Sequence, residues 1–260
     1  MARWHDYRFT MIPFFRKIRY KLAKDNQFLN YSRYAIGEIV LVVVGILIAL
    51  YINNWNEERK ERVKEEHYLT QLKGEFQVTQ KELSRVIAKT SDVEKITNLL
   101  LSLKEIPTES ISNEELDSLI LRSRGYTIFM SSESTIIELI STGNLGLIRN
   151  DTLRSYLASW ETSLKPIRGW EVHSKKSVDQ LSDLLNQYTD NYAHSYFDKP
   201  LLSDSERIHL LSDIQCRNYW DDIRRYSEIL NELYIEKRAT IDRILLLIDQ
   251  ELNASVSATE

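Results

Sequence analysis

Cysteine is nearly absent. Cys216 is the single thiol in 260 residues, so no disulfide forms within the chain, and a small semi-apolar residue on a helix is its simplest role. Glycine and proline are scarce as well, at seven and four. Strands and tight turns need such punctuation and long helices avoid it, so the shortage argues for helix. No GxxxxGK[ST] or GxGxxG stretch is present to cradle phosphate, no GxSxG to raise a nucleophile, and no HExxH to hold zinc. The five histidines (His5, His67, His173, His194 and His209) never fall three or four residues apart, which argues against a helical metal site. The expectation is a protein that is not an enzyme, with no catalytic, metal or cofactor-binding residue to nominate.

What is present is a folded chain: 43% hydrophobic and 28% charged residues, with 14 Tyr and five Trp as large core anchors. The net charge of −4 hides an asymmetry. Residues 1–34 carry eight Lys/Arg against two acids, whereas residues 53–260 carry 26 against 35. An acidic domain repels phosphate backbones, so nucleic acid is not an expected partner. A short basic tail beside an apolar segment suits an anionic lipid surface.

That apolar segment is residues 35–52, AIGEIVLVVVGILIALYI. At about 1.5 Å per residue it spans about 27 Å, enough for a bilayer core. It is apolar on every face, unlike a buried soluble helix, and no small-x-small cleavage pattern follows it. It therefore predicts an uncleaved transmembrane helix, with Ile36, Gly37, Glu38, Gly45, Ala49 and Ile52 among its residues. Glu38 lies one turn inside, where it can reach the interface or mark a partner contact. Gly45 and Ala49 form a small-xxx-small pair that admits a close neighbour. Eight Lys/Arg precede the segment and four (Arg59, Lys60, Arg62 and Lys64) follow it closely. The positive-inside rule then predicts a cytoplasmic N-terminus and an extracytoplasmic domain.

Residues 11–24, MIPFFRKIRYKLAK, place Phe14, Phe15, Ile18 and Leu22 within an arc of about 100° on a helical wheel. Arg16, Lys17, Arg19 and Lys21 fill the rest, as in a basic helix lying among lipid headgroups or docked on a protein. This stretch, with YAIGEIVLVVVGILIALYINNWNEERK after it, resembles the opening of an uncharacterised family of small membrane proteins from Bacteroidota, whose members begin MIKFFRKIR-like. Residues 138–145, ELISTGNL, followed by LIRN at 147–150, are similar to a second family signature, ELxSSGNLxLIxN. The resemblance spans roughly residues 11–160 and implies a bacterial inner membrane; with the orientation that the positive-inside rule predicts, the domain lies in the periplasm. It implies no activity. The family start aligns with Met11, so either translation starts there or Met1–Thr10 is an unusual extension.

Beyond the span, Leu69, Leu72, Phe76, Leu83, Val86, Val93 and Leu100 recur at 3-4 spacing, with Thr79, Thr90 and Thr97 in the same seam. The pattern predicts that the transmembrane helix continues to Pro107 and packs along one stripe. The stripe suits a homo-oligomeric coiled coil or an intramolecular bundle. Ser112 and Glu115 read as a capping box opening a short helix, and residues 126–130, YTIFM, as a buried connector. Further helices are expected over 134–142, with Gly143 after its end, and from Asn150, with a kink or break at Pro166 and Gly169. A loop over 189–203 and a short helix near 204–212 precede a long one from 214 to 252.

The predicted class is all-α: one transmembrane helix continuing into an elongated antiparallel helical bundle. The divisions are 1–34 basic tail, 35–52 span, 53–252 extracytoplasmic domain and 253–260 frayed tail. The Ser141, Gly143, Asn144 turn is a candidate interaction loop. The functional expectation is an envelope scaffold or adaptor acting through a protein partner or homo-oligomer. The alternative is a ligand-sensing bundle that signals through a separate partner.

Overall fold

The computed structural model describes residues 28–103, 111–197 and 199–257. The basic helix expected at 11–24 (with Arg16, Lys17, Arg19 and Lys21) and Pro107 lie outside them. The described residues form helices α1 (Phe28–Ser102), α2 (Asn113–Arg122), α3 (Ser134–Ser141), α4 (Asp151–Leu185), α5 (Asn191–Phe197), α6 (Asp204–Ser212) and α7 (Ile214–Ser257), with a 3-10 turn at Asn144–Leu147. No strand occurs among them. The protein is all-helical, as its sparse glycine and proline imply.

The chain divides into two compact units, Met1–Arg62 and Val63–Glu260, and α1 is continuous across the boundary. In the first unit, every residue from Ile36 to Glu61 is exposed. An 18-residue window there has a mean hydropathy of 2.7 and no buried residue. An apolar helix bare on all faces is stable in lipid, where a helix satisfies its own backbone. It is the one helix among the described residues long and apolar enough to cross a membrane.

In the second unit, burial of α1 follows the seam. All ten seam residues, the three threonines included, are buried. They pack against this chain's own α4 and α7. Lys73 pairs with Asp249 at 2.7 Å, Gln80 donates to Asp242 at 2.6 Å and Asn231 to Glu94 at 2.7 Å. Residue numbers fall along α7 as they rise along α1, so the two are antiparallel. Lys237 to Ser163 (2.7 Å) and Asn150 to Glu251 (3.0 Å) set α4 antiparallel to α7 in the same way. Hence α1 and α4 run parallel to each other, and Phe76 meets Trp160 edge-on at 5.0 Å. Such a contact adds about 1 kcal/mol beyond the area it buries.

A parallel pair needs a return leg, which α2, residues 125–133, α3 and the 3-10 turn supply. The leg starts close against α1. A Cβ on Gly125 would stand 3.0 Å from Val93 Cγ2 and 3.1 Å from the Arg122 carbonyl oxygen. The YTIFM run is not the buried connector expected of it. Phe129 is buried, but Tyr126, Ile128 and Met130 are 45%, 46% and 74% exposed. The period of two belongs to an extended strip with one face inward.

Two apolar cores result. One gathers Leu69 to Val86 of α1, Ile136 and Leu139 of α3, Leu153 to Ile167 of α4 and Leu230 to Ile248 of α7. The other gathers Val93 to Leu103, α2, Val178 to Leu185, Leu210 and Leu211 of α6, and Cys216 to Ile223. A buried Arg207–Asp117 pair, two bonds of 2.8 Å each, ties α6 to α2. The carboxylate beside it holds the guanidinium pKa above its usual range. The Cys216 thiol is buried and its pKa is pushed up to about 12, chiefly by burial and also by nearby Asp213. That makes it an inert packing group.

Several local expectations are corrected. α4 passes through Pro166 and Gly169 without a break. Pro166 forfeits one backbone bond, but buried Leu164 and Ile167 on either side hold the turn to the core. Residues 189–203 contain α5 and so are not wholly loop. Ser112 caps α2 by accepting from the Glu115 N–H, whereas the reciprocal capping box opens α6, between Ser203 and Glu206. α7 is described to Ser257, five residues past the end expected at 252.

Candidate functional site

The sequence nominated a membrane segment and a turn. The membrane residues Ile36, Gly37, Glu38, Gly45, Ala49 and Ile52 all lie on exposed helix. Neither Gly45 nor Gly37 has a side-chain or backbone neighbour within 4 Å of its Cβ position, so both leave open notches on the helix surface.

The turn is fastened to α1 more firmly than a loop reading implies. Gly143 has φ +72°, the left-handed geometry that ends α3 and that glycine adopts without strain. Asn144 Nδ2 donates to the Tyr68 hydroxyl at 3.2 Å, and that hydroxyl donates to Glu138 at 3.0 Å. Thr142 Oγ1 donates to the Glu138 carbonyl at 2.7 Å. Farther on, the Arg149 N–H donates to the fully buried Glu65 carboxylate at 2.7 Å. Asn150 then caps α4 by accepting from the Leu153 N–H at 2.9 Å. The ELISTGNL and LIRN stretches are thus one structural device: a helix end, a left-handed glycine and a cap, locked to α1.

The other end of α3 is held by the same helix. Its N-cap, Glu133, makes no side-chain cap bond. Instead Glu75 of α1 accepts from the Thr135 N–H at 3.1 Å, from Thr135 Oγ1 at 2.9 Å and from Ser134 Oγ. A carboxylate at a helix N-terminus meets orphan N–H groups and the positive end of the helix dipole. The inner face of α3, Thr135, Ile136 and Leu139, is buried, while Ile137 and Ile140 are 60% and 51% exposed. Residues three apart on a helix are neighbours, so these isoleucines form one apolar spot beside the exposed Ser141 and Gly143.

Sequence reasoning passed over a second set of residues, the buried polar ones. Glu171 Oε1 accepts from both the Phe129 N–H and the Tyr234 hydroxyl, each at 2.7 Å. Burial raises the Glu171 pKa, and burial plus the facing carboxylate raise that of Tyr234. Lys237 is buried over the Trp160 ring, 5.2 Å from its centroid, and burial lowers its pKa. The signal that finds them is register. Glu171 sits four residues after Ile167, and Lys237 lies between Tyr234 and Ile241, on the apolar stripes of α4 and α7. A charge on such a stripe is buried by the helix period.

Among the described residues, no three His, Cys, Asp or Glu side chains gather as metal ligands. No curated protein and no solved structure matches the chain. The family comparison does match, over residues 38–218. That stretch holds most of the membrane segment, α2 to α6, the whole fastened turn and the Glu65, Glu75 and Glu171 carboxylates, but not Lys237. The chain therefore belongs to the family of unknown function DUF6090.

Proposed function

We propose that the chain is a single-pass protein of the bacterial inner membrane, with a cytoplasmic N-terminus and a periplasmic helical domain. In this reading it acts as an envelope scaffold or adaptor, by contact and not by catalysis, and its ligand is a protein partner or a second copy of itself. One observation carries the reading. The protein fixes α3 at both ends with side chains from α1, and the helix then turns Ile137 and Ile140 to solvent. A rigid element with an apolar outer face suits protein contact, because little order remains to be imposed on binding.

The test is site-specific photo-crosslinking in native membranes, with the crosslinker at position 137 or 140 of the full-length chain. A discrete adduct is expected, identified by mass spectrometry, and Ile137→Asp with Ile140→Asp should abolish co-purification of the adducted protein. Absence of any adduct at both positions refutes this surface. The location half is checked by labelling Ser155→Cys, an exposed position, with an impermeant maleimide in intact spheroplasts. The native Cys216 is buried and gives no background. Labelling only after lysis refutes a periplasmic domain.

A second reading, a ligand-sensing bundle that signals through a separate partner, is favoured by a layer of hydroxyl groups between the two apolar cores.

A further inference from the structure

Between the two cores the apolar stripes of all three long helices are interrupted at the same level. In α1 the seam passes from Val86 through Thr90 to Val93. In α4 it passes from Ile167 through Glu171 and Ser174 to Val178, and in α7 from Ile223 through Ser227 to Leu230. A cleft of about 330 Å³ opens at this level, lined by α1, α2, the start of the extended strip, α4 and α7. That is the lower end of the range for small-molecule sites.

The lining is mixed in an informative way. Ser174 and Ser227 are 7% and 2% exposed, and neither hydroxyl makes a hydrogen bond to the described residues. Helical serines commonly donate to the carbonyl four residues back, and these two do not. Thr90 and Thr127 share a bond of 3.2 Å beside them. Val93, Leu121 and Leu230 form an apolar wall, and Tyr126 adds an aromatic ring.

The charged groups are Lys89, Arg122, Arg124 and Asp92, a net of +2 within a strongly acidic domain. Asp92 is already held by Arg122 through two bonds of 2.9 and 2.8 Å. Arg124 has no such partner. Its guanidinium touches only the amide oxygens of Asn186 and Asn191, both at 3.5 Å. Burial lowers its pKa, as befits a cation without a countercharge.

We propose that this cleft binds a small hydroxylated organic anion of the sugar-acid class. Arg124 takes the carboxylate, Ser174 and Ser227 take ring hydroxyls, and Tyr126 with the apolar wall takes the C–H face of the ring. Neither hydroxyl oxygen is among the fully buried unpaired atoms of the described residues, so each opens on the cleft and is free to meet a ligand, and alanine suits a helix better than serine. Each serine thus adds less to its helix than alanine would, and what it supplies is a hydroxyl facing the cleft. The site goes beyond the adaptor reading and shares no residue with the α3 surface, so either can fail alone.

The experiment is thermal unfolding of the full-length protein in nanodiscs with D-glucuronate. D-glucose, sodium acetate and inorganic phosphate at equal ionic strength are the controls. Glucuronate at ten times its dissociation constant is expected to raise Tm by about 3–6 °C, and the controls by less than a third of that. Arg124→Met and Ser227→Ala should each abolish the shift. Ser174→Ala and Ser227→Ala should leave the free protein's Tm unchanged or higher, which separates loss of binding from loss of folding. The proposal is overturned if glucuronate at 10 mM gives no shift. It is equally overturned if all anions shift Tm alike, if the shift survives in both Arg124→Met and Ser227→Ala, or if the serine variants unfold at lower temperature than the parent.

Discussion

Replacing Glu171 tests whether its carboxylate is the bolt that holds the return leg to the core. One oxygen, Oε1, accepts from the Phe129 N–H and the Tyr234 hydroxyl at 2.7 Å, and the side chain is 5% exposed. In Glu171→Ala both donors lose their acceptor. Each orphaned buried donor costs about 2 kcal/mol. Removing a desolvated carboxylate returns about 1 kcal/mol, leaving a net loss of about 3 kcal/mol. For a domain of this size the melting temperature falls by about 6–12 °C. Glu171→Gln keeps an acceptor oxygen for both donors and has no charge to bury, so its stability should lie within about 1 kcal/mol of the parent. The pH dependence separates the two effects. Burial raises the folded pKa above the 4.5 of an unfolded glutamate. The folded state therefore binds the proton more tightly, and this stabilisation is complete below pH 4.5 and lost as pH rises through the folded value. Urea unfolding of the full-length protein in nanodiscs between pH 4.5 and 7.5 reads both quantities. Parent stability should rise relative to Glu171→Gln as the pH falls. If Ala and Gln variants unfold together, or the difference is flat with pH, the carboxylate does not hold the leg.

Two further predictions follow from groups already placed. Gly143→Ala forces a Cβ onto a φ of +72° and should cost about 1–2 kcal/mol. Gly146→Ala, with nothing within 4 Å, should cost less than half as much, and equal thermal shifts would refute the left-handed end of α3. Lys237 has a folded pKa below the unfolded 10.5 because it is buried. Its favourable contribution is present above pH 10.5 and lost as pH falls through the folded value. The stability of the parent relative to Lys237→Met should therefore climb as pH rises towards 10.5, and a flat difference in urea midpoints would show that the amine is solvated.

Much of the fold was legible because helices write their burial into their period. The ten seam positions of α1, the Asn150 cap and the Gly143 helix end could be placed from spacing alone, since each depends on residues within one turn. The path of α4 parallel to α1 could not, because it depends on a return leg whose course is set by long-range bonds. Glu75 caps a helix 60 residues away, and no local pattern announces it. The break expected at Pro166 is absent for the opposite reason. Its local cost is real, and packing of Leu164 and Ile167 outweighs it. At the candidate sites the buried polar residues were passed over: each breaks an apolar stripe, but their convergence at one level needs the register between helices, which the sequence does not state. Cys216, read from the sequence only as a small semi-apolar residue on a helix, is buried on α7.

The parallel pairing of α1 and α4 also bears on how the protein is made. The helix that lies against both is α7, which leaves the ribosome after both of them. Until its residues arrive, the seam from Leu69 to Leu100 and the matching stripe of α4 have no common partner. These contacts join positions well over a hundred residues apart, so closing the core is a late and non-local event. A nascent chain already held by its apolar segment would carry two bare stripes through its synthesis. That is the state in which chains recruit holding chaperones or pair with a neighbour's stripe instead of their own. Depletion of the holding chaperones that meet it during synthesis should therefore lower its yield more than that of a helical hairpin of equal mass.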